Sequence, residues 1–345
     1  MKFLLFSDFH YKEGMYAIPV SELQRTIERG GREQVDMILH GGDLCNDYYG
    51  SPELVNCLLK NVYGLPVYGV YGNHEMESVH NTMQYVTPHL TNRAEEVTWG
   101  TDDGKIGDGS IAYYYFDREG LRFICLDSNY SLTPDGVLEH NREASWGAPA
   151  ENTLENSLGE KQLAWLEGVL SDAAENGKHC ILLSHITFLN EWHTHPDNDR
   201  VMELIRAANV KRPKTVIACL NGHYHTNGHA VRDNVLFFDV NTAMNGCWEG
   251  GHEDEPGHYG DCTYEFVPYD ENGKPCRDAV QAPIDTAWMS KDTWYFKNAL
   301  SAVVTVDESL KITVDGMKTE WVYEIIPPNP RRGKMPEISS FTFEP

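Results

Sequence analysis

KFLLFSDFH, residues 2–10, is the stretch of sequence from which the fold can be argued. Lys2–Phe6 is a short, mostly apolar run, which predicts a buried strand. Asp8 and His10 follow it and place a carboxylate and an imidazole at the strand's end. Ligands gather beyond the carboxyl ends of strands in α/β sheets, so this junction predicts a functional site as well as a strand.

Short apolar runs of the same kind alternate with helical patterns along the first two-thirds of the chain. The predicted strands are Lys2–Phe6, Met37–His40, Pro66–Val70, Leu121–Leu126, Cys180–Ser184 and Thr215–Leu220. The predicted helices are Ser21–Arg29, Pro52–Asn61, Glu160–Glu175 and Asp199–Ala208. Such alternation favours a mainly parallel sheet in an α/β fold.

The last third of the chain predicts antiparallel structure. A hairpin is predicted from Ala230–Arg232 to Val235–Val240, and the later strands are Ala299–Val306, Lys311–Val314 and Trp321–Ile326. Two mixed sheets flanked by helices fit these elements better than one flat sheet does. We therefore predict a core over residues 1–245 and a C-terminal extension over residues 246–345. The extension would hold an aromatic and acidic loop region, then antiparallel strands that complete the second sheet.

Two long stretches give no regular pattern. Asn129–Asn156 and Trp248–Trp294 are long and rich in loop-forming residues, and loops of that length are uncommon unless functional or disordered. The tail after Ile326 is predicted to lie extended on the surface. The role of the acidic segment within the second stretch stays open.

A formal net charge of −24 is the most unusual bulk property of the chain. Such a chain repels polyanions at long range, which disfavours extended DNA or RNA as a partner. A small phosphorylated substrate stays compatible, because bound divalent cations reverse the local field of an acidic site. No run approaches the roughly 18 apolar residues that span a bilayer, so we expect no membrane partner.

The eight cysteines form no CxxC pair and no regular framework. Cys125, Cys180 and Cys219 lie in apolar strand-like runs, which favours buried free thiols and a reducing, cytoplasmic compartment. Cys247, Cys262 and Cys276 share a loop-rich stretch, but their spacing matches no common zinc site.

Five predicted strands end in residue types that bind metals. The fragments are Ser7-Asp8-Phe9-His10, Gly41-Gly42-Asp43, Gly72-Asn73-His74-Glu75, Ser184-His185 and Gly222-His223-Tyr224-His225. Each has an ordinary alternative, since His185 alone would suit a buried core, Asn73 a turn and Asp8 a helix cap. Recurrence at five strand ends favours ligation instead. Carboxylate, imidazole and amide oxygen without thiolate suit Mn²⁺, Fe or Zn²⁺.

These fragments resemble, in order, the motifs D-x-H, G-D, G-N-H-[DE], a lone H and G-H-x-H of the calcineurin-like metallophosphoesterase superfamily. The resemblance runs from Lys2 to about Val240 and implies a four-layer α/β/β/α sandwich with two metal ions. It implies that Asp43 bridges both ions. The other implied ligands are Asp8, His10 and His225 for the first ion, and Asn73, His185 and His223 for the second.

The reaction implied by the resemblance is hydrolysis of a small phosphomonoester or phosphodiester by a hydroxide that bridges the two metal ions. Two cations about 3.5–4 Å apart repel, so a shared carboxylate and a bridging hydroxide are needed between them. Metal binding lowers the pKa of water to about 7, which makes the hydroxide available at neutral pH. His74 would supply or stabilise a proton for the leaving alkoxide, and Glu75 would orient His74 or a ligand imidazole.

Two further sequence features bear on which branch of the superfamily the chain resembles. Asn46 stands three residues after Asp43, where many relatives carry Asp or Tyr; together with His10 it argues against a tyrosinate-bound ferric centre. The pattern L-G-x-x-Q-L-x-W-L over Leu158–Leu166 resembles the branch that contains cyclic-nucleotide and glycerophosphodiester phosphodiesterases.

Two alternative functions remain on the sequence alone. A nuclease of the same fold would need a basic, aromatic-lined groove, yet the largest basic cluster is Arg331-Arg332 with Lys334. A non-catalytic, metal-binding interaction scaffold would be expected to have lost ligands or His74, which this chain retains.

Overall fold

A computed structural model shows two β-sheets packed face to face, with helices on their outer surfaces. The structure describes residues 1–11, 20–45, 64–75, 82–132, 138–140, 154–189, 197–243, 245–247, 263–266, 280–283, 294–320 and 336–345. Among these residues, no helix combines the length and apolar character that a membrane span needs.

Thirteen strands of the described chain build the two large sheets. In chain order they are β1 Lys2–Phe6, β2 Met37–His40, β3 Val67–Gly69, β4 Thr98–Trp99, β5 Tyr114–Arg118, β6 Leu121–Cys125, β7 His179–Leu183, β8 Val216–Asn221, β9 Gly228–Arg232, β10 Val235–Asp239, β11 Ala302–Val306, β12 Ile312–Asp315 and β13 Phe341–Phe343. The long helices are α1 Val20–Arg32, α2 Gly159–Glu175 and α3 Asn198–Lys211. A one-turn helix, Met83–Val86, runs into a 3-10 turn, Thr87–His89.

Seven short strands lie outside the two large sheets in the described chain. They are Tyr130–Leu132, Leu138–His140, Leu154–Ser157, Asn245–Cys247, Thr263–Phe266, Val280–Pro283 and Trp294–Tyr295. Several of them fall in Asn129–Asn156 and Trp248–Trp294, the two long stretches without a regular sequence pattern. Strands of two to four residues leave too short a periodicity to recognise against their loop-like surroundings.

The parallel centre of each sheet determines where the functional site can form. The first sheet has the order β13-β12-β11-β1-β2-β3, and the second has the order β9-β10-β8-β7-β6-β5-β4. In the first, β1, β2 and β3 run parallel. In the second, β6, β7, β8 and β10 run parallel. Parallel strands bring their carboxyl ends to one edge, where ligand-bearing loops gather.

Apolar packing joins the layers into an α/β/β/α sandwich. Between the sheets, Phe3 of β1 meets Phe123 of β6 edge to face, with ring centroids 5.6 Å apart. On the far side of the first sheet, Gly30 of α1 faces Leu4 of β1. Helices α2 and α3 bury a second apolar cluster against the second sheet. The predicted fold class is confirmed.

The C-terminal strands extend the first sheet. β11 pairs antiparallel with β1, and β12 pairs antiparallel with β11. The division of the chain into a core and a C-terminal extension at residue 245 stays a prediction. The tail after Ile326 contains β13, which pairs with β12 and was not predicted as a strand. The pairing of β1 with β11 could not be predicted, because a partner about three hundred residues away leaves no mark on the local sequence pattern.

Some predicted elements cannot be compared with the structure. The helix Pro52–Asn61 and the strand Trp321–Ile326 lie outside the described residues, as do Cys262 and Cys276. The three cysteines predicted to be buried free thiols, Cys125, Cys180 and Cys219, are buried and free.

Candidate metal centre

All nine residues that the sequence singled out meet in the gap between the carboxyl edges of the two sheets. Asp8 and His10 follow β1, Asp43 follows β2, Asn73, His74 and Glu75 follow β3, His185 follows β7, and His223 and His225 follow β8. The first sheet thus supplies three of the loops and the second sheet supplies two. The centre therefore exists only when both sheets are in place.

The ligand loops have unusual backbone geometry. Left-handed φ angles occur at Asp8 (54°), His10 (53°), Asp43 (49°), His223 (71°) and His225 (51°). This conformation is uncommon outside glycine, although Asp and His tolerate it better than most residues, and it costs about 1–2 kcal/mol at each position. Strained backbone concentrates at functional sites, where it sets the direction of side chains.

Asp8, His10 and His225 form the first group of candidate ligands. The Nε2 atoms of His10 and His225 lie 3.0 Å apart. Asp8 Oδ1 lies 3.3 Å from His225 Nε2 and 3.9 Å from His10 Nε2. The ligand atoms of the group are all within 4.8 Å of one another. A cation with bonds of about 2.0–2.2 Å to nitrogen and oxygen can span such a set after small adjustments.

Asp43, His185, His223 and Asn73 form the second group. His185 Nε2 lies 3.1 Å from Asp43 Oδ2, without the alignment of a hydrogen bond. The other ring nitrogen of His185, Nδ1, is 2.7 Å from the carbonyl oxygen of Gly41. That contact favours the tautomer with its proton on Nδ1, which leaves the Nε2 lone pair for a cation. Asn73 Oδ1 lies 3.1 Å from His223 Nδ1, so the amide oxygen belongs to the same group.

Asp43 occupies the middle of the centre. Its Oδ2 atom is 3.8 Å from His10 Nε2 and 4.0 Å from His74 Nε2, in addition to its contact with His185. The backbone N–H of His74 donates to Asp43 Oδ1 at 2.9 Å. One carboxylate between two sets of imidazoles has the position that a shared ligand requires.

The electrostatic balance of the centre fits cation binding. Burial alone would raise the pKa of the Asp43 carboxyl, but His185, His74 and His10 hold it well below its usual range. Burial lowers the pKa of His10 and of His223 to about 3, and neighbouring imidazoles contribute to both shifts. The pKa of His185 would also be lowered by burial, but Asp43 and Asp8 raise it to about 10. Asp43 is thus ionised and the imidazoles of His10 and His223 are neutral, the protonation states that metal ligands need. The raised pKa of His185 has a different meaning, since it shows that the carboxylates of the centre favour a positive charge at the position of its Nε2.

Glu75 holds the backbone around Asp43. Its carboxylate accepts the N–H groups of Asp43 and Cys45 at 2.9 and 3.2 Å, and also that of Leu44. Gly72, one residue before Asn73, donates to the same carboxylate at 2.6 Å. Glu75 therefore ties the loop after β2 to the loop after β3. Orientation of His74 or of a ligand imidazole by Glu75 stays a prediction.

Three buried polar residues near the centre were missed by the sequence argument. Asp127 and Asn129 follow β6, and Gln162 lies in the first turn of α2. The signal for the first two was present, because Asp127-Ser128-Asn129 directly follows a predicted strand, as the ligand fragments do. No metal-binding pattern drew attention to them.

Comparisons with known proteins identify the family of this chain. A family model described as calcineurin-like phosphoesterase matches residues 1–227. No curated protein sequence matches the chain significantly. Among solved structures, a dimetal phosphatase from Danio rerio is similar, with a TM-score of 0.57 and 16% identity, over 100% of this chain and 98% of that chain. The inner-membrane-complex anchor GAP50 of Plasmodium is similar with a TM-score of 0.46 and 10% identity, over 100% of this chain and 88% of that chain.

The likeness to the Danio rerio protein shows a shared fold, and the family match spans more than half of the chain. Every motif that suggested the resemblance falls inside the matched residues. The chain belongs to the calcineurin-like phosphoesterase family, whose members are metal-dependent phosphoesterases.

Proposed function

We propose that this chain hydrolyses a small phosphomonoester or phosphodiester at a centre of two metal ions. The observation that supports this most strongly is the position of Asp43 between the two ligand groups, with His10 on one side and His185 on the other. Two cations placed close together need a shared anionic ligand, because each would otherwise face the other's charge unscreened.

The proposal assigns the ions by donor set. Asp8, His10 and His225 would hold the first ion, Asn73, His185 and His223 would hold the second, and Asp43 would be shared by both. Nitrogen and oxygen donors support Mn²⁺, Fe or Zn²⁺ as the ions. When bound, such ions supply the Lewis acidity that lowers the pKa of water and neutralises charge on phosphoryl oxygens.

His74 is the residue that we propose to protonate the leaving oxygen. Its ring meets the ring of His10 edge to face, with centroids 4.7 Å apart, and its backbone N–H is fixed by Asp43. The imidazole is thus held beside the centre while its neighbour Asn73 serves as a ligand. A positioned imidazole of this kind typically contributes about 10²–10⁴-fold to a rate.

The acidic chain supports a compact substrate. With a formal net charge of −24, long-range repulsion disfavours polymeric phosphodiesters, whereas the cations of the centre attract a small anion locally. The four free thiols of the described chain support a reducing, cytoplasmic compartment as part of the same proposal.

Turnover of two model substrates tests the proposal. The metal-stripped protein would be assayed with p-nitrophenyl phosphate and bis(p-nitrophenyl) phosphate, with Mn²⁺, Zn²⁺, Fe²⁺ or no metal added. We expect metal-dependent hydrolysis, abolished in Asp43→Asn and retained in Gly168→Ala, an exposed control position on α2. The ratio of the two rates decides between monoesterase and diesterase. Absence of turnover while two ions remain bound would favour the scaffold alternative.

A leaving-group series tests the role of His74 separately. A proton donor matters most when the leaving oxygen is strongly basic, so His74→Ala should lose far more activity with phenyl phosphate than with p-nitrophenyl phosphate. If both substrates lose the same factor, His74 acts on binding or on the metal ions instead.

A further inference from the structure

Asp127, Ser128 and Asn129 form a buried segment between β6 and the metal centre, which we call the 127–129 segment. Their exposed fractions are 1%, 0% and 0%. Three consecutive polar residues are rarely buried without a purpose, because each polar group must find a partner inside the protein. Their partners show what the segment supports.

Gln162 of α2 fixes the start of this segment. Its Oε1 accepts the backbone N–H of Asp127 at 2.8 Å, and its Nε2 donates to the carbonyl oxygen of Asp127 at 2.7 Å. Nε2 also donates to the carbonyl oxygen of Leu158 at 3.1 Å. The side-chain amide thus satisfies both backbone groups of one residue. Gln162 is the glutamine of the L-G-x-x-Q pattern, to which the proposed chemistry gives no role.

Within the segment, Asp127 sets the orientation of Asn129. Asp127 Oδ1 accepts the backbone N–H of Asn129 at 3.1 Å and its Nδ2 at 3.2 Å. A carboxylate can only accept these bonds, so the Asn129 amide must present its NH₂ group to Asp127. The same Nδ2 donates to the carbonyl oxygen of Tyr71 at 3.2 Å, two residues before Asn73.

Ser128 makes the second contact with the centre. Its hydroxyl oxygen accepts the backbone N–H of Ile186 at 3.3 Å, and Ile186 directly follows His185. The 127–129 segment therefore contacts Tyr71, two residues before Asn73, and Ile186, directly after His185. Asn73 and His185 are both proposed ligands of the second ion.

The first ion has a different support. The hydroxyl of Thr242, in the loop after β10, donates to the carbonyl oxygen of Asp8 at 2.8 Å. The Asp8 carboxylate also accepts the backbone N–H of His223 at 3.0 and 3.1 Å, so this contact joins a proposed ligand of the first ion to one of the second. The 127–129 segment contacts the residues beside Asn73 and His185, whereas the Thr242 hydroxyl contacts Asp8, so a substitution in either place acts first on one side of the centre.

We propose that Gln162 and Asn129 are positioning residues for the second metal ion, acting through Tyr71 and Ile186 on Asn73 and His185. This inference rests on the proposed two-metal function. Removing groups that orient metal ligands typically weakens metal affinity by roughly 10–100-fold. Loss of either side-chain amide should therefore lower the affinity for the second ion by that factor and leave the affinity for the first ion unchanged.

Metal titration of the full chain tests the inference. Calorimetry with Mn²⁺ gives the stoichiometry and the two affinities, and electron paramagnetic resonance distinguishes a spin-coupled Mn²⁺ pair from an isolated ion. We expect Asn129→Ala and Gln162→Ala to bind one ion with unchanged affinity and one with roughly 10–100-fold lower affinity. At limiting Mn²⁺ the coupled spectrum should be replaced by that of an isolated ion.

Two further variants separate positioning from folding. Asn129→Leu has nearly the same side-chain size and adds no charge but lacks the NH₂ donor, so it should reproduce the defect of Asn129→Ala while leaving little cavity. Thr242→Val removes the hydroxyl that bonds Asp8 and should weaken binding of the first ion more than binding of the second. Thermal unfolding of each metal-free variant reports whether the fold is intact, and Asn129→Leu carries the test if Asn129→Ala unfolds.

The outcomes distinguish failure of the proposed two-metal function from failure of the positioning role alone. A wild-type chain that binds fewer than two ions would contradict the proposed function itself. Wild-type binding of two ions with no selective loss in folded Asn129 and Gln162 variants would overturn the positioning role alone. Equal weakening of both ions would also overturn it, because the 127–129 segment would then support the centre as a whole.

Discussion

Glu75 accepts the backbone N–H of Asp43 at 2.9 Å, so the residue proposed to bridge two cations is held by a neighbouring loop. Leu44, Cys45 and Gly72 donate to the same buried carboxylate. Burial and the nearby Asp43 raise the pKa of Glu75 to about 7, whereas its backbone donors lower it. The carboxylate is thus a structural acceptor for the centre.

We predict that Glu75→Ala lowers the free energy of unfolding by about 3 kcal/mol or more, because several buried N–H groups lose their acceptor. Glu75→Gln should lose less, since its one carbonyl oxygen still accepts from one side. Urea unfolding of the metal-free variants gives the comparison. A Glu75→Ala protein as stable as the wild type would show that water replaces the carboxylate at no cost.

A methyl group at Gly72 should disrupt the centre, whereas one at Gly168 should not. A Cβ at Gly72 would collide with the side chain and backbone nitrogen of Asp43. A Cβ at Gly168, exposed on α2, would meet nothing within 4 Å. We expect Gly72→Ala to abolish tight metal binding and Gly168→Ala to stabilise the fold by about 0.5–1 kcal/mol. Calorimetric titration and urea unfolding of both variants check this; normal metal affinity in Gly72→Ala would contradict it.

Asp239 at the end of β10 should make stability depend on pH. Burial raises its pKa from 3.8 to about 6, although the Thr187 hydroxyl lowers it. The folded protein therefore binds this proton more tightly than the unfolded chain does, and stability is lost as pH rises from about 4 through about 6. Compared with the wild type, Asp239→Asn should raise the free energy of unfolding at pH 8 by up to about 3 kcal/mol more than it does at pH 4.

The exposed Asp102→Asn is the matched control for Asp239→Asn. Urea unfolding at both pH values, on metal-free protein, measures the difference. If the two substitutions change the free energy of unfolding equally at both pH values, Asp239 is not the group whose proton makes stability depend on pH.

Removal of metal should lower stability by mass action. An ion that binds only the folded chain adds about 2.7 kcal/mol when its free concentration is 100 times its Kd. We expect a chelator to lower the melting temperature of the wild type and Mn²⁺ or Zn²⁺ to restore it. Asp43→Asn should show a much smaller shift, because both ions lose their shared ligand. A wild-type melting curve that is indifferent to chelator and metal would contradict the assigned centre.

Local sequence pattern was sufficient to predict which strand ends bring the candidate ligands together. A strand and the polar residues that end it are adjacent in sequence, so the run Lys2–Phe6 and the following Asp8 could be recognised together. Strand β2 was predicted with the bounds that the structure has, and α2 to within one residue. The resemblance to the family motifs then supplied the proposed division of these residues between two ions, which strand ends alone do not give.

Contacts between distant elements could not be predicted in the same way. The bonds from Gln162 to Asp127 join a helix to a strand end 35 residues away and leave no periodic trace. Strand β5 could have been predicted from its turn, because Glu119-Gly120, with φ angles of 49° and 83°, links β5 to β6 as a two-residue hairpin. The pairing of β1 with β11 has no such local signal.

The pairing of β1 with β11 has a consequence for shortened chains. Lys2 lies opposite Thr305 and Leu5 opposite Ala302, although the family match ends at residue 227. A fragment that stopped after residue 245 would keep every proposed ligand but would leave one side of β1 without its hydrogen-bonding partner. A bare apolar edge of this kind is a template for another chain, so the fragment would be prone to self-association. By pairing with β1, the strand Ala302–Val306 thus prevents edge-to-edge association at this side of the sheet.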